Sequence, residues 1–209
     1  VETFKTLIAN NKAWAADMLA QDPEFFKRTD LGQEPHFLMI GCSDSRVPLE
    51  RMTGALPGEM FVHRNIGNQV WSTDVNVLSV LSYAINVLDV PHVIVCGHDN
   101  CGALKAAMGP ASNGIVDHWL SDIRNTLRWH KDELAAIADP KARLAKVAEL
   151  NVLQQLGILS RTPVIRDAWE RGKRPMLHGW VYDIASGLIR IAADQIDSAE
   201  MAERVLPNN

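Results

Sequence analysis

Two fragments of the sequence carry residue types able to do chemistry. The first, GCSDSRVP, begins at Gly41 and places Cys42, Asp44 and Arg46 two residues apart. The second, GHDNCGA, begins at Gly97 and places His98 three residues before Cys101. In an extended segment alternate side chains share one side, about 7 Å per two residues. Cys42 and Asp44 could then reach one ion, with Arg46 standing behind the carboxylate. One helical turn brings residues three apart to a common face, which unites His98 and Cys101. The positive N-terminus of that helix favours the thiolate of Cys101, the form a metal binds. Two cysteines, a histidine and an aspartate make a soft tetrahedral donor set that suits zinc. Each motif alone is weak, and their coincidence at the ends of two strands is much stronger. Competing readings stay open at this level. Cys42 and Cys101 could be buried apolar thiols, as Cys96 is within VIVCG, and Asp44 with Arg46 could be an ion pair bracing a turn.

The elements that must position these residues can be read around them. Phe37–Ile40 and Met60–Val62 are short apolar runs flanked by Gly and Pro, the signature of buried strands. Pro91 opens a third, HVIVCG, whose unbroken apolar run suits a parallel sheet covered on both faces. Between them, STDVNVLSVLSYAINVL starts with capping residues and reads helical to about Leu88. It has no polar face, so its second side is expected to meet another protomer. Farther on, DHWLSDIRNTLRWHKDELAAI reads as helix, and another runs from the Asp139 cap and Pro140 to about Leu156. A third helix starts at Thr162–Pro163 and ends near Gly172. MLHGWVYD and LIRIAA form a hairpin across a Ser-Gly turn. The fold class is therefore α/β: a single domain over 1–209, with a mainly parallel central sheet flanked by helices. Residues 1–30 form an N-terminal helical arm, and 197–209 are expected to lie loosely on the surface. Ligands in such sheets bind beyond the carboxyl ends of the strands, where both fragments sit.

Bulk properties narrow the partners. The 209 residues suffice for one substantial core, with 47% apolar and 22% charged residues. A net charge of −4 and the lack of a Lys/Arg-dense tract argue against nucleic acid. No apolar stretch reaches membrane-spanning length, so no membrane partner is expected. Three cysteines are too few and too odd in number for a disulfide framework and suit a reducing compartment. Cytoplasmic localisation is expected, with an organelle reached by a removed transit peptide as the alternative. The remaining histidines, and the six tryptophans, read as packing or surface residues.

CSDSRVP, the downstream HRNIGN and GHDNCGA together resemble the β-class carbonic anhydrases in order and spacing. The resemblance runs from the N-terminal helix to LHGWVYD. It implies Zn2+ held by Cys42, His98 and Cys101, and reversible hydration of CO2 to bicarbonate by a zinc-bound hydroxide. It also implies a homodimer, often paired into a homotetramer. Within it Asp44 and Arg46 form a catalytic dyad: Asp44 is a fourth metal ligand in a closed state and pairs with Arg46 in an open one. Two thiolates donate more charge than imidazoles, so activity is expected to grow as the medium becomes alkaline. Carried over by position, Gln33 donates to substrate across the dimer cleft, while Phe61, Ile66 and Tyr83 line it. Gly102 brings its backbone N–H towards bicarbonate. Arg64 and Tyr182 match part of an inhibitory bicarbonate pocket found in some relatives. Met39 stands where those relatives have a tryptophan, which leaves that regulation open. The alternatives are hydrolysis of CS2 or COS on the same scaffold, and a non-catalytic zinc-stabilised interaction module. Arg46 speaks against the second, since a permanently closed site needs no release partner.

Overall fold

The structure is a computed structural model that describes residues 3–112, 114–173 and 175–206. It divides into two compact units, Val1–Glu34, which contains the expected N-terminal helical arm, and Pro35–Asn209.

The first unit holds α1 (Phe4–Gln21) and α2 (Phe25–Asp30). The Thr3 hydroxyl accepts the Thr6 N–H and caps α1. Trp14 meets Phe26 edge-on at 5.6 Å, and Phe26 meets Phe25 at 5.0 Å.

The second unit contains β1 (Phe37–Cys42), α3 (Leu49–Thr53), β2 (Met60–Asn65), α4 (Val75–Asn86), β3 (His92–His98) and α5 (Gly102–Met108). Then follow α6 (Ile115–Trp119), α7 (Ser121–Trp129), α8 (Lys131–Ala135), α9 (Pro140–Ser160) and α10 (Pro163–Glu170). The chain finishes with β4 (Met176–Asp183), β5 (Leu188–Ile196) and α11 (Ala199–Val205). Strand order is β2-β1-β3-β4-β5, with parallel pairing except between β4 and β5. Phe37 lies opposite His92 and Gly41 opposite Cys96. Neighbouring β1 and β3 thus end together at one edge of the sheet, as parallel pairing requires.

Alternation divides each strand between two cores. Leu38, Ile40, Val93 and Val95 are fully buried in the larger core with Leu81 and Ile85 of α4 and Leu156 and Leu159 of α9. Each such side chain contributes about 1.5–3 kcal/mol by leaving water. Met39, Ile94 and Cys96 face the other way, under Leu49 of α3. Helix α9 closes on the sheet over two glycines. A Cβ at Gly97 of β3 would fall 2.7 Å from Val152 Cγ2, and one at Gly179 of β4 would fall 2.8 Å from Val152 Cγ1.

The capping residues act as expected. Asp74, Asp139 and Thr162 accept from the first-turn amides of α4, α9 and α10. Four expectations differ. Strands β1 and β2 continue past Ile40 and Val62, to Cys42 and Asn65, because their pairing outlasts the apolar run. The helix read over DHWLSDIRNTLRWHKDELAAI is broken into α6, α7 and α8 at Leu120 and His130, whose ψ angles of 3° and 20° leave the helical basin. Helix α9 runs past Leu156 to Ser160, since Gly157 is too weak a breaker before Thr162–Pro163. The described part of the 197–209 tail is no loose segment. The Ser198 hydroxyl caps α11, which buries Ala202 and, just beyond it, Leu206; residues 207–209 lie outside the described residues. No described helix is long and apolar enough to cross a membrane.

Candidate metal centre

Cys42 is the last residue of β1, His98 the last of β3, and Cys101 the N-cap of α5. All three are almost fully buried, and their ligand atoms lie within 4.8 Å of one another. The two sulfurs are 4.0 Å apart. Tetrahedral zinc with Zn–S bonds of about 2.3 Å would hold two sulfurs about 3.8 Å apart. The histidine is prepared for the same role. Its Nδ1–H donates to the Asp99 carbonyl at 2.9 Å, which fixes the tautomer and leaves the lone pair on Nε2. That Nε2 is buried without a hydrogen-bond partner. A buried acceptor left unpaired is costly unless something outside the chain satisfies it. The donor set therefore fits a divalent ion such as zinc.

The thiols are coupled and titrate as a pair. One proton is shared between the two sulfurs, and this hydrogen bond lowers the Cys42 thiol and raises that of Cys101. The amides of Ala103 and Leu104, in the first turn of α5, pull Cys101 the other way, as a helix N-terminus should. Cys96 stands apart from the cluster, and burial pushes its thiol up to about 12.

Asp44 and Arg46 meet, but not along an extended strand. The chain turns after Ser43, with the Val47 N–H donating to the Asp44 carbonyl at 3.1 Å. The Arg46 N–H donates to Asp44 Oδ1 at 3.0 Å, an Asx turn. The side chain adds a fork: Nε to Oδ1 at 2.9 Å and Nη2 to Oδ2 at 2.7 Å. The guanidinium holds the Asp44 carboxyl well below the usual carboxylate range. Asp44 Oδ2 is also 3.8 Å from His98 Nε2, so the carboxylate borders the ligand cluster while paired behind it.

Arg64 acts on the same loop from the neighbouring strand. Its Nε and Nη2 donate to the Cys42 carbonyl at 3.0 and 2.7 Å, and Nη2 donates to the Asp44 carbonyl at 2.8 Å. Tyr182 lies opposite His98 in the sheet register and packs with Met39 in the smaller core. Phe61 and Tyr83 stack at 5.9 Å. Ile66 is exposed and lines a pocket with Trp71 and Trp119. Around Gly102 a Cβ would meet nothing within 4 Å, so the space beside the first turn of α5 is open. Gln33 belongs to the first unit and is exposed there.

A carbonic anhydrase family model matches residues 37–189. The chain belongs to the β-carbonic anhydrases. The carbonic anhydrase of Emericella nidulans is 42% identical over 189 residues, covering 90% of this chain and 83% of that protein. The Pseudomonas aeruginosa carbonic anhydrase is 38% identical over 84% of this chain and 80% of its own. Among solved structures, a Coccomyxa β-carbonic anhydrase in complex with acetazolamide superposes with a TM-score of 0.94 at 34% identity, over 99% of this chain and 93% of that one. A tetrameric β-carbonic anhydrase from Sordaria macrospora gives 0.86 at 40%, over 90% and 95%. This β-carbonic anhydrase also uses residues its motifs do not announce. Asn151 and Gln155 of α9 and Gln69 are buried amides bonded around Gly67, whose own N–H bonds the Cys42 sulfur. Their signal in the sequence is faint: Asn151 and Gln155 stand four apart in LNVLQQLG, where Gln154 is a third amide in an apolar run. A second histidine group also escaped notice. His178 pairs with Asp194 at 2.5 Å and with His92 at 3.1 Å, at the opposite end of β3 from His98.

Proposed function

We propose that this carbonic anhydrase hydrates CO2 reversibly to bicarbonate at the Cys42–His98–Cys101 cluster, with zinc as its metal. The observation that carries the reading is the buried, unpartnered His98 Nε2 converging with two thiols 4.0 Å apart. Zinc held by three protein ligands keeps one position open and supplies hydroxide near neutral pH as a nucleophile for CO2. The chain's own residues do the remainder. Asp44, held ionised by Arg46, is an acceptor only, and it orients a water or hydroxide beside the cluster by accepting a hydrogen bond from its O–H. The stacked Phe61 and Tyr83 give apolar CO2 a wall to lie against. The open space at Gly102 admits the product anion to the backbone N–H of Gly102.

The same carboxylate supports a switch. Turned away from Arg46, Asp44 closes the cluster as a fourth ligand; paired with Arg46, it leaves the cluster open. Self-association is part of the proposal. Val75 and Tyr83 of α4, and Val87 just after it, are exposed, where a second copy would cover them. Metal analysis combined with stopped-flow CO2 hydration from pH 6.5 to 9 tests the reading. One zinc per chain and a rate rising with pH are expected. Zinc-replete protein that hydrates no CO2 but turns over CS2 or COS moves the activity to those substrates. Zinc-replete protein inert towards all three leaves only a structural zinc module.

A further inference from the structure

The buried amides beside the cluster are bonded to one another and to the main chain, with Gln69 Oε1 the one amide oxygen among them that lacks a partner. Helix α9 presents Ala148, Asn151, Val152 and Gln155 on one face, at the i, i+3, i+4, i+7 spacing, all buried. Val152 sits over Gly97, the residue before His98. Asn151 Nδ2 donates to the Gly67 carbonyl at 3.0 Å, and its Oδ1 accepts from Gln69 Nε2 at 2.9 Å and Gln155 Nε2 at 3.3 Å. Gln69 Nε2 also donates to the Gly67 carbonyl, at 2.6 Å. Gln155 Oε1 accepts the Val70 N–H at 2.7 Å, and its Nε2 donates to Asp122 at 3.0 Å.

What these bonds hold is a strained loop. Gly67 and Asn68 are consecutive left-handed residues, with φ of 77° and 49°. The loop leaves β2 at Asn65, which is the register partner of Cys42 and whose carbonyl accepts the Ser43 N–H at 2.9 Å. Its other side faces α5: a methyl on Gly67 would lie 3.3 Å from Ala103 Cβ. The 65–70 loop is thus wedged between the strand that ends in Cys42 and the helix capped by Cys101. Buried polar groups and strained backbone are expensive, and they persist where the surroundings over-determine them for a purpose.

We propose that Asn151, supported by Gln155 and Gln69, is a positioning residue for the metal centre. By pinning the Gly67 peptide it presets the separation of the Cys42 and Cys101 sulfurs. The inference rests on the cluster being the metal site proposed above.

The test replaces Asn151 with Asp in the zinc-loaded protein. The aspartate keeps the acceptor for Gln69 and Gln155 but cannot donate to the Gly67 carbonyl. Zinc release to a chromogenic chelator is followed, with the thiolate-to-metal charge-transfer band of the Co(II)-substituted protein. Removing an outer-shell contact of a metal site typically weakens binding about 10–100-fold. We expect zinc release faster by that factor, a shifted band, and a fall in kcat with KM for CO2 unchanged. Ser160→Ala, which removes a buried hydroxyl at the far end of α9, is the control for general loosening. Release and spectrum in Asn151→Asp that match Ser160→Ala overturn the proposal. Should Asn151→Asp not fold, Gln155→Glu is read in its place: it keeps the acceptor for Val70 and loses the donation to Asn151, and wild-type release there overturns the proposal equally. Wild-type protein that holds zinc without hydrating CO2 refutes the proposed function alone, since the release rates still decide on Asn151. Wild type that binds no zinc refutes both.

Discussion

Gly97→Ala joins the packing of the sheet to the chemistry at its edge. The new methyl would lie 2.7 Å from Val152 Cγ2, while its next neighbours, the Ala148 carbonyl and Asn68 Oδ1, stand at comfortable distances of 3.6 and 3.7 Å. Carbon–carbon contacts are best at about 3.5–4.0 Å, so nearly 1 Å of overlap must be relieved. Val152 cannot simply turn away, because a β-branched side chain in a helix has one strongly preferred rotamer. The strain therefore moves α9 off β3, at an overpacking cost of about 1–3 kcal/mol. Val152→Ala removes two methyl groups, worth about 1.6 kcal/mol of transfer and about 2–3 kcal/mol once the cavity is included. If the two changes were independent, the double variant would lose about 3–6 kcal/mol. Since Val152 is the one side chain opposing the new methyl, the double variant is expected to cost no more than Val152→Ala alone. The coupling is then about 1–3 kcal/mol. Gly179→Ala is the comparison. There Leu156 Cδ1 and Val152 Cγ1 both oppose at 2.8 Å, so Val152→Ala relieves only part of the strain. Urea unfolding of the zinc-saturated protein, at fixed protein concentration, measures each term. Zinc content measures the second effect: Gly97 adjoins His98, so Gly97→Ala alone lowers occupancy. Additive losses in Gly97→Ala/Val152→Ala, or a Gly97→Ala variant as stable as wild type, would refute the reasoning.

Arg46→Ala removes both side-chain bonds to Asp44. The freed carboxylate turns to the cluster, and the rise of CO2 hydration with pH moves to more alkaline values; an unmoved pH–rate profile contradicts the switch. Cys96, with its thiol pushed up to about 12, is thiolate to the order of 10⁻⁴ at pH 8. In metal-free protein, iodoacetamide should therefore label Cys42 well before Cys96, as read by peptide mass mapping, and equal labelling contradicts the assignment. Arg124 donates to the carbonyls of Ala106, Ala107 and Gly109 at the end of α5 and pairs with Asp117. Arg124→Ala should cost about 2–4 kcal/mol in urea unfolding, and a change below 0.5 kcal/mol, taken as roughly the scatter of ordinary surface substitutions, contradicts that role. The pair also has a pH signature. Arg124 holds Asp117 below the usual carboxylate range, so its contribution is present above the ordinary carboxylate pKa and lost as pH falls through the depressed one. Chelation of the metal should lower the urea midpoint, because free energy of metal binding is also free energy of folding; an identical midpoint refutes a metal at this cluster.

The Cys42–His98–Cys101 cluster was legible because each half of it is local. C-x-D-x-R and H-x-x-C sit where an apolar run meets a turn, and strand ends need no distant information to be found. The sheet was legible for the same reason, through the unbroken apolar runs of β1 and β3. The turn at Asp44 was not: alternation suggested an extended segment, whereas the carboxylate bonds its own chain two residues on. The breaks at Leu120 and His130 escaped because no Gly or Pro marks them. The amides of α9 meet residues 82 to 85 positions away in the chain, a pairing no local pattern encodes. The same holds for the last helix, whose Leu206 reads as tail until the core that receives it is in place.

The bonds around Asp44 restrict how the proposed switch could operate. The Asp44 carbonyl accepts from Val47 N–H and from Arg64, and Arg64 binds the Cys42 carbonyl with the same guanidinium. The main chain of Asp44 is thereby tied to the main chain of Cys42, and moving one would drag the other. A loop motion that carried Asp44 to the metal would open the Cys42 sulfur away from Cys101. Rotation about the Asp44 side chain has no such consequence, since it breaks only bonds to the carboxylate itself. Oδ2 already lies 3.8 Å from His98 Nε2, so the distance to be covered is small. The proposed exchange between Arg46 and a metal would therefore be a side-chain torsion on a fixed backbone, with Arg64 as the part that holds the backbone in place. In the proposed switch the opposing charge on Arg46 would set the balance between the two positions, while Arg64 would keep Cys42 in place as the balance shifts.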